Sequence, residues 1–261
     1  MSRNYLLIVE GAVTEKEILE SVLKGTNVTV ERCEQVNLQS DVEDLFAGIY
    51  DKSNNDKIYI IQGHRNRIHD WLKSMKTEEE DFENFFSTLN EKFAGIFIIF
   101  DVDHTSKDEL EEMFEKYNNE TGNGILLLSS PCIEVLADTK RTEPFEGNHL
   151  RDYKTLLNTE WNKAGYSSAK DYIVKNFNEL ALYYLDKNTN DSGLQDVMLH
   201  PQFVLTKINE LNDRTYISND IQPVIYRYFT TVLYVCIAYI NGLTKEFDNV
   251  QAVKEYFIMQ Q

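Results

Sequence analysis

Over the first half of the chain, short apolar runs alternate with segments whose apolar residues recur three and four positions apart. The runs are Tyr5–Val9, Val28–Arg32, Ile58–Ile61, Ile96–Phe100 and Ile125–Leu128. Strand-like runs that alternate with helical patterns predict a parallel sheet with crossover helices. Between the first two runs, Thr14 is placed to cap a helix that Gly25 ends, with Ile18, Leu19, Val22 and Leu23 on one face. After the fourth run, Leu110, Met113, Phe114 and Tyr117 keep helical spacing, and Gly122 and Gly124 close that segment before the next strand. The spacing therefore predicts five strands joined by helices over residues 1–140.

The strand signal fades beyond that point, and residues 141–261 read as a helical region packed on or capping the sheet. Ser168–Leu185, Phe203–Leu211 and Val224–Ile240 carry helical patterns, and the polar stretch Asp186–Gly193 reads as a loop. Val224–Ile240 is the most apolar stretch, with Asp220 as its N-cap and Pro223 in its first turn. It carries Arg227 and several tyrosines and is shorter than the roughly 20 apolar residues of a membrane span, so it predicts a buried helix. The N-terminal run is too short for a signal peptide and lacks a small-residue cleavage site.

Composition narrows the functions. Hydrophobic residues make up 42% and aromatics 12%, with 4 Pro and 11 Gly, as in a folded globular chain. The formal charge of −17 argues against holding nucleic acid by bulk electrostatics, which needs clustered Lys and Arg. It leaves metal-mediated contact with phosphate open. Three cysteines, Cys33, Cys132 and Cys236, are widely spaced with no CxxC, so neither a disulfide framework nor a zinc motif is predicted, and a reducing cytoplasm is expected. There is no Walker A loop and no HExxH.

In open parallel sheets ligands sit beyond the carboxyl ends of the strands. The residues that follow the runs include Glu10 and Gly11, then Gly63 and His64, then Asp101 and Asp103, then Ser129 to Glu134. Each acid alone is commonly a helix cap or a solvated loop residue. Glu10, Asp101, Asp103 and Glu134 together predict a carboxylate cluster at one sheet edge, suited to a hard divalent cation such as Mg²⁺ or Mn²⁺. Such a cluster repels itself without a cation.

These residues carry a resemblance. LLIVEGAVTEKEIL followed by IIFDVDHT resembles the Toprim domain of topoisomerases, primases and overcoming-lysogenisation-defect (OLD) nucleases. With SSPCIEVL added, the order of motifs is more like the RloB-like branch of bacterial phage-defence Toprim proteins. The resemblance covers roughly residues 5–138 and implies an α/β Toprim (Rossmann-like) sheet. It makes Glu10 a metal ligand or general acid/base, Asp101 and Asp103 the metal-binding pair, and Glu134 a further ligand. Glu15 matches the second glutamate of the first motif. It implies an Mg²⁺-dependent endonuclease acting on DNA or RNA, tRNA included, in antiviral defence, with an ABC- or OLD-type ATPase as partner and room for homo-oligomers.

Two other resemblances compete. FDVDHT also resembles the first motif of haloacid-dehalogenase-type phosphatases, which would make Asp101 a nucleophile, but three strand-like runs precede it and no later acidic pair follows an apolar strand. LLIVEG is similar to the start of receiver domains, but lacks their acidic pair. A binding module whose carboxylates are not catalytic is the alternative of a different class.

Secondary features weigh less. His64, Arg65 and Arg67 lie in the most basic stretch and are candidates for phosphate or partner contact, against a plain solvated helix. His104, beside the Asp-x-Asp, is a candidate donor to phosphate. Tyr166, Tyr172, Tyr183 and Tyr184 suit core or interface packing at their helical spacing better than base stacking. Cys132, next to Pro131, reads as a packing residue.

Overall fold

In a computed structural model of the chain, the described residues are 4–9, 12–23, 28–33, 56–62, 87, 89, 93–101, 112–113, 115–119, 121–129, 132–139, 145–146, 150–189, 224–225 and 255. They form an α/β protein with a mostly parallel six-stranded sheet. Its strands are β1 (Asn4–Val9), β2 (Val28–Cys33), β3 (Asp56–Gln62), β4 (Gly95–Asp101), β5 (Asn118–Asn119) and β6 (Gly124–Ser129), in the order β2-β3-β1-β4-β6-β5. β1 pairs in parallel with both β3 and β4, and β2 pairs in parallel with β3. All five apolar runs are therefore strands.

The chain divides into two compact units, Met1–Phe100 with Met113–Leu126, and Asp101–Glu112 with Leu127–Gln261. In the first unit, Tyr5–Val9 and Gly95–Phe100 are buried residue after residue, so both faces of these strands are covered. That is why they read as continuous apolar runs rather than alternating ones. Helix α1 (Ala12–Val22) follows β1 and buries Ile18 and Leu19, and Leu23 is buried in the turn after it. Thr14, expected as its cap, lies inside its first turn.

β5 is a short hairpin strand that the sequence pattern does not predict. Asn119 Oδ1 accepts from the Thr121 amide at 3.0 Å and from its hydroxyl at 2.9 Å, and the Gly122 amide donates to the Asn119 carbonyl at 3.0 Å. Gly124 then opens β6 with φ +86°, a left-handed conformation. A Cβ there would meet Ile96 Cγ2 and Ile98 Cδ1 at 3.2 Å. Gly124→Ala is expected to destabilise the chain by about 1–3 kcal/mol, combining backbone strain with crowding. A urea unfolding curve that does not shift would refute this.

The second unit is built around a helical hairpin, α2 (Leu150–Lys163) and α3 (Ala169–Thr189). α2 buries Tyr153, Leu157 and Trp161, four residues apart, and α3 buries Ala169, Ile173, Phe177, Leu180 and Ala181. The turn between them is a Schellman motif. The Tyr166 amide donates to the Trp161 carbonyl at 3.0 Å and the Gly165 amide to Asn162 at 3.1 Å, with Gly165 at φ +93°. The hydrophobic contact that accompanies such motifs is the Tyr166 ring set edge-on against Trp161, with centroids 5.8 Å apart.

α3 starts on side-chain caps. Ser168 Oγ accepts from the Asp171 amide (3.0 Å), Asp171 Oδ2 accepts from the Ser167 amide (2.9 Å), and Asn158 of α2 accepts from the Ala169 amide (2.9 Å). Hydrogen bonds from Lys175 and from the Ser167 amide hold the Asp171 carboxyl below its usual range. α3 kinks at Asn176 (φ −125°, ψ 20°), whose side-chain amide donates to the Tyr172 carbonyl and to the Tyr166 hydroxyl.

The expected segments of this half are met in part. Ser168–Leu185 falls in α3 and its cap, but α3 runs on to Thr189, into the stretch expected as a loop. Helical residues continue there because no Gly or Pro interrupts before Gly193. Val224–Ile225, expected to begin a helix, form a short strand, β8, paired antiparallel with β7 (Phe145–Glu146). Pro223 fixes its own φ but is compatible with an extended chain after it, and two β-branched residues follow. Phe203–Leu211 and the rest of Val224–Ile240 lie outside the described residues. Among the described residues, no helix is long and apolar enough to cross a membrane.

Candidate metal centre

From β1 the chain goes to β2 and β3 on one side of the sheet and continues with β4 and β6 on the other. In open α/β sheets, ligands bind beyond the carboxyl ends of strands where the order reverses in this way. The carboxyl-terminal residue of β4 is Asp101.

After β6 the chain enters a 3-10 turn, Ile133–Ala137, in which every residue is buried. Its first free amide, on Ile133, receives no cap from the preceding Cys132. Instead it donates to Asp101 Oδ1 at 3.0 Å. A side chain from β4 thus caps the turn that carries Glu134, and this fixes the two carboxylates relative to each other. The turn is held from the other side by the helical hairpin. The Trp161 indole donates to the Ala137 carbonyl at 3.0 Å, and the Tyr153 hydroxyl to the buried Asp138 carboxylate at 2.9 Å.

A carboxylate oxygen of Asp101, the Cys132 sulfur and a carboxylate oxygen of Glu134 all lie within 4.8 Å of one another. Cys132 is fully buried and the Glu134 side chain is 7% exposed. Two lysines from the hairpin face this group. Lys154 Nζ is 3.3 Å from Asp101 Oδ2 and 3.8 Å from Glu134 Oε2, and Lys170 Nζ is 3.7 Å from Glu134 Oε1. The distances to Glu134 are longer than hydrogen bonds, and its buried Oε2 makes none. Burial is the main cause that pushes the Cys132 thiol up, with the Glu134 and Asp101 charges and a hydrogen bond to Glu134 adding to it and Lys154 opposing.

This group can hold a metal ion. Asp101 and Glu134 supply the oxygen donors that a hard cation takes, one from a strand end and one from a buried turn. The sulfur of Cys132 is a donor that Mg²⁺ does not favour.

Of the predicted site residues, Asp101 and Glu134 are brought together. Glu10, Asp103, His104, His64, Arg65 and Arg67 lie outside the described residues. Glu15 is a buried residue in the first turn of α1, in the other compact unit. Sequence reasoning missed Lys154 and Lys170. Each follows directly on the first residue of its helix's buried stripe, Tyr153 and Ala169, and a lysine at the border of an apolar stripe was the available signal. Cys132, expected as packing, is buried as expected but borders both carboxylates. Tyr166 and Tyr172 pack on Trp161, the latter stacked at 3.4 Å with 9° between planes. No family model, curated protein or solved structure matches the chain.

Proposed function

We propose that this chain is a metal-dependent hydrolase of phosphodiester bonds in nucleic acid. The observation that carries the reading is the Asp101–Glu134 pair, brought together by the Ile133 amide, with a buried Glu134 oxygen that makes no hydrogen bond and has the Lys154 ammonium 3.8 Å away. A bound divalent cation at such carboxylates supplies Lewis-acid stabilisation of a phosphoryl oxygen and a lowered pKa for bound water. Lys154 and Lys170, which face these carboxylates, would be the phosphate contacts of a site with a cation bound. The Toprim resemblance adds Glu10 as the residue that moves the proton and Asp103 as a further ligand, with Mg²⁺ or Mn²⁺ as the metal. It also implies a role in bacterial antiviral defence, beside an ABC- or OLD-type ATPase. A charge of −17 suits an effector that depends on a partner for recruitment to DNA or RNA.

Purified chain, with and without such an ATPase, is to be incubated with end-labelled DNA, RNA and tRNA in Mg²⁺ or Mn²⁺. Glu134→Gln is expected to slow cleavage at least about 100-fold, since several kcal/mol of transition-state stabilisation go with the metal. Equal cleavage by the variant contradicts the assignment. A second reading has its own observation, the two lysines that face the carboxylates. In it the group is a structural ion cluster in an acidic binding subunit, which neither cleaves nor needs a cation.

A further inference from the structure

The two carboxylates and the two lysines of this centre differ in how far each can move. Asp101 is pinned through Oδ1 to the Ile133 amide at 3.0 Å, and Glu134 belongs to the 3-10 turn, which the Trp161 indole holds at the Ala137 carbonyl. Their side chains are 17% and 7% exposed. Lys154 and Lys170 reach in from the hairpin on long flexible stems, and their side chains are 29% and 41% exposed. Such lysines can turn their ammonium groups out to water, whereas the carboxylates are held where they are. Lys170 is also the second residue of α3, the helix end at which the macrodipole favours anions, so Glu134 and not the helix favours its charge there.

We propose that Lys154 and Lys170 gate this centre: their ammonium groups and a divalent cation are alternative, mutually exclusive partners of Asp101 and Glu134. Lys154 Nζ bridges the two residues, at 3.3 Å from Asp101 Oδ2 and 3.8 Å from Glu134 Oε2, and Lys170 Nζ stands 3.7 Å from the other Glu134 oxygen. Two ammonium charges thus face two carboxylate charges. A divalent cation takes carboxylate oxygens at about 2.0–2.6 Å. An ammonium left at the distances seen would then press like charge on like charge in a partly buried site, where screening is weak. Cation binding therefore requires the lysines to swing to solvent, and the strength of their pairing sets the affinity. The proposal rests on the reading that Asp101 and Glu134 hold a cation, and it names the regulation of that centre: the helical hairpin sets the cation concentration at which it loads.

The probe is Mn²⁺ alone, titrated into the intact chain and followed by the electron paramagnetic resonance signal of the free ion. Lys154→Gln/Lys170→Gln removes both ammonium groups and keeps long polar side chains, while Lys154→Arg keeps the charge. The expected result is binding at least about 10-fold tighter in the double variant than in wild type, within the usual range for coupled sites, and no tightening in Lys154→Arg. Urea unfolding adds a readout that a merely structural pair would not move: Mn²⁺ should raise the midpoint of the double variant more than that of wild type. Unchanged or weaker Mn²⁺ binding by a folded double variant would overturn the gate and leave the carboxylate centre standing. Binding to neither wild type nor the double variant would overturn the centre, and the gate with it. Should the double variant not fold, Lys170→Gln alone carries the test, since it keeps the Lys154 pair and loses one contact at 3.7 Å. Tighter binding is expected there too, and wild-type affinity in that variant overturns the proposal.

Discussion

Asp101→Asn is expected to fold with nearly wild-type stability and to lose cation-dependent cleavage by at least about 100-fold. The separation follows from what each oxygen does. Asp101 Oδ1 accepts the Ile133 amide at 3.0 Å, and the carbonyl oxygen of an asparagine can accept it equally well. The charge, which a cation needs, is lost together with the 3.3 Å part-buried ion pair to Lys154. A part-buried pair at this distance contributes on the order of 1 kcal/mol, so unfolding curves should move little. Asp101→Ala also removes the acceptor and leaves a buried turn amide without it, adding a cost of about 1–3 kcal/mol. The two variants should therefore match in lost cleavage and differ in urea midpoint. Cleavage that survives in Asp101→Asn would detach the chemistry from this residue. Equal midpoints would mean that the carboxylate does not cap the turn.

Trp161→Ala is expected to destabilise the second unit by about 3–5 kcal/mol, as for large aromatic truncations in a core. Trp161 is only 7% exposed, stacks on Tyr172 and meets Tyr166 edge-on, so three rings lock α2 to α3 through this one side chain. Its indole N–H also reaches the Ala137 carbonyl, at the end of the 3-10 turn that carries Glu134. Trp161→Phe keeps an aromatic ring but not this donor, at a cost of about 1–3 kcal/mol. Both substitutions should loosen cation binding as well as lower stability, because the turn and the hairpin are one packed body within the unit. Urea unfolding followed by circular dichroism gives the stability, and a Mn²⁺ titration gives the affinity. A Trp161→Ala chain as stable as wild type would show that the hairpin does not depend on this contact.

The sheet was legible because β1 and β4 are buried on both faces, which leaves unbroken apolar runs in the sequence. Asp101 and Glu134 were legible through strand ends, since the chain must leave the sheet just where ligands bind. The short strand β5 was not legible, because two asparagines have little strand propensity and the hairpin is made by side-chain hydrogen bonds of Asn119. β8 was misread as the start of a helix because Asp220 and Pro223 imitate a helix entry, while pairing with Phe145–Glu146 is a long-range contact that local pattern does not carry. Lys154 and Lys170 could be placed on helices but not opposite Glu134, since that depends on how the hairpin packs on the turn. The Schellman turn at Gly165 was in principle readable from a glycine after a helical stretch with aromatics on either side.

The central claim is that Asp101 and Glu134 hold a divalent cation. The most direct test is a Mn²⁺ titration followed by the electron paramagnetic resonance signal of the free ion, comparing wild type with the Asp101→Asn/Glu134→Gln double variant. The account predicts saturable binding to the wild type and at least about 10-fold weaker binding to a folded double variant. Equal binding by the two proteins, or none by the wild type, would contradict it.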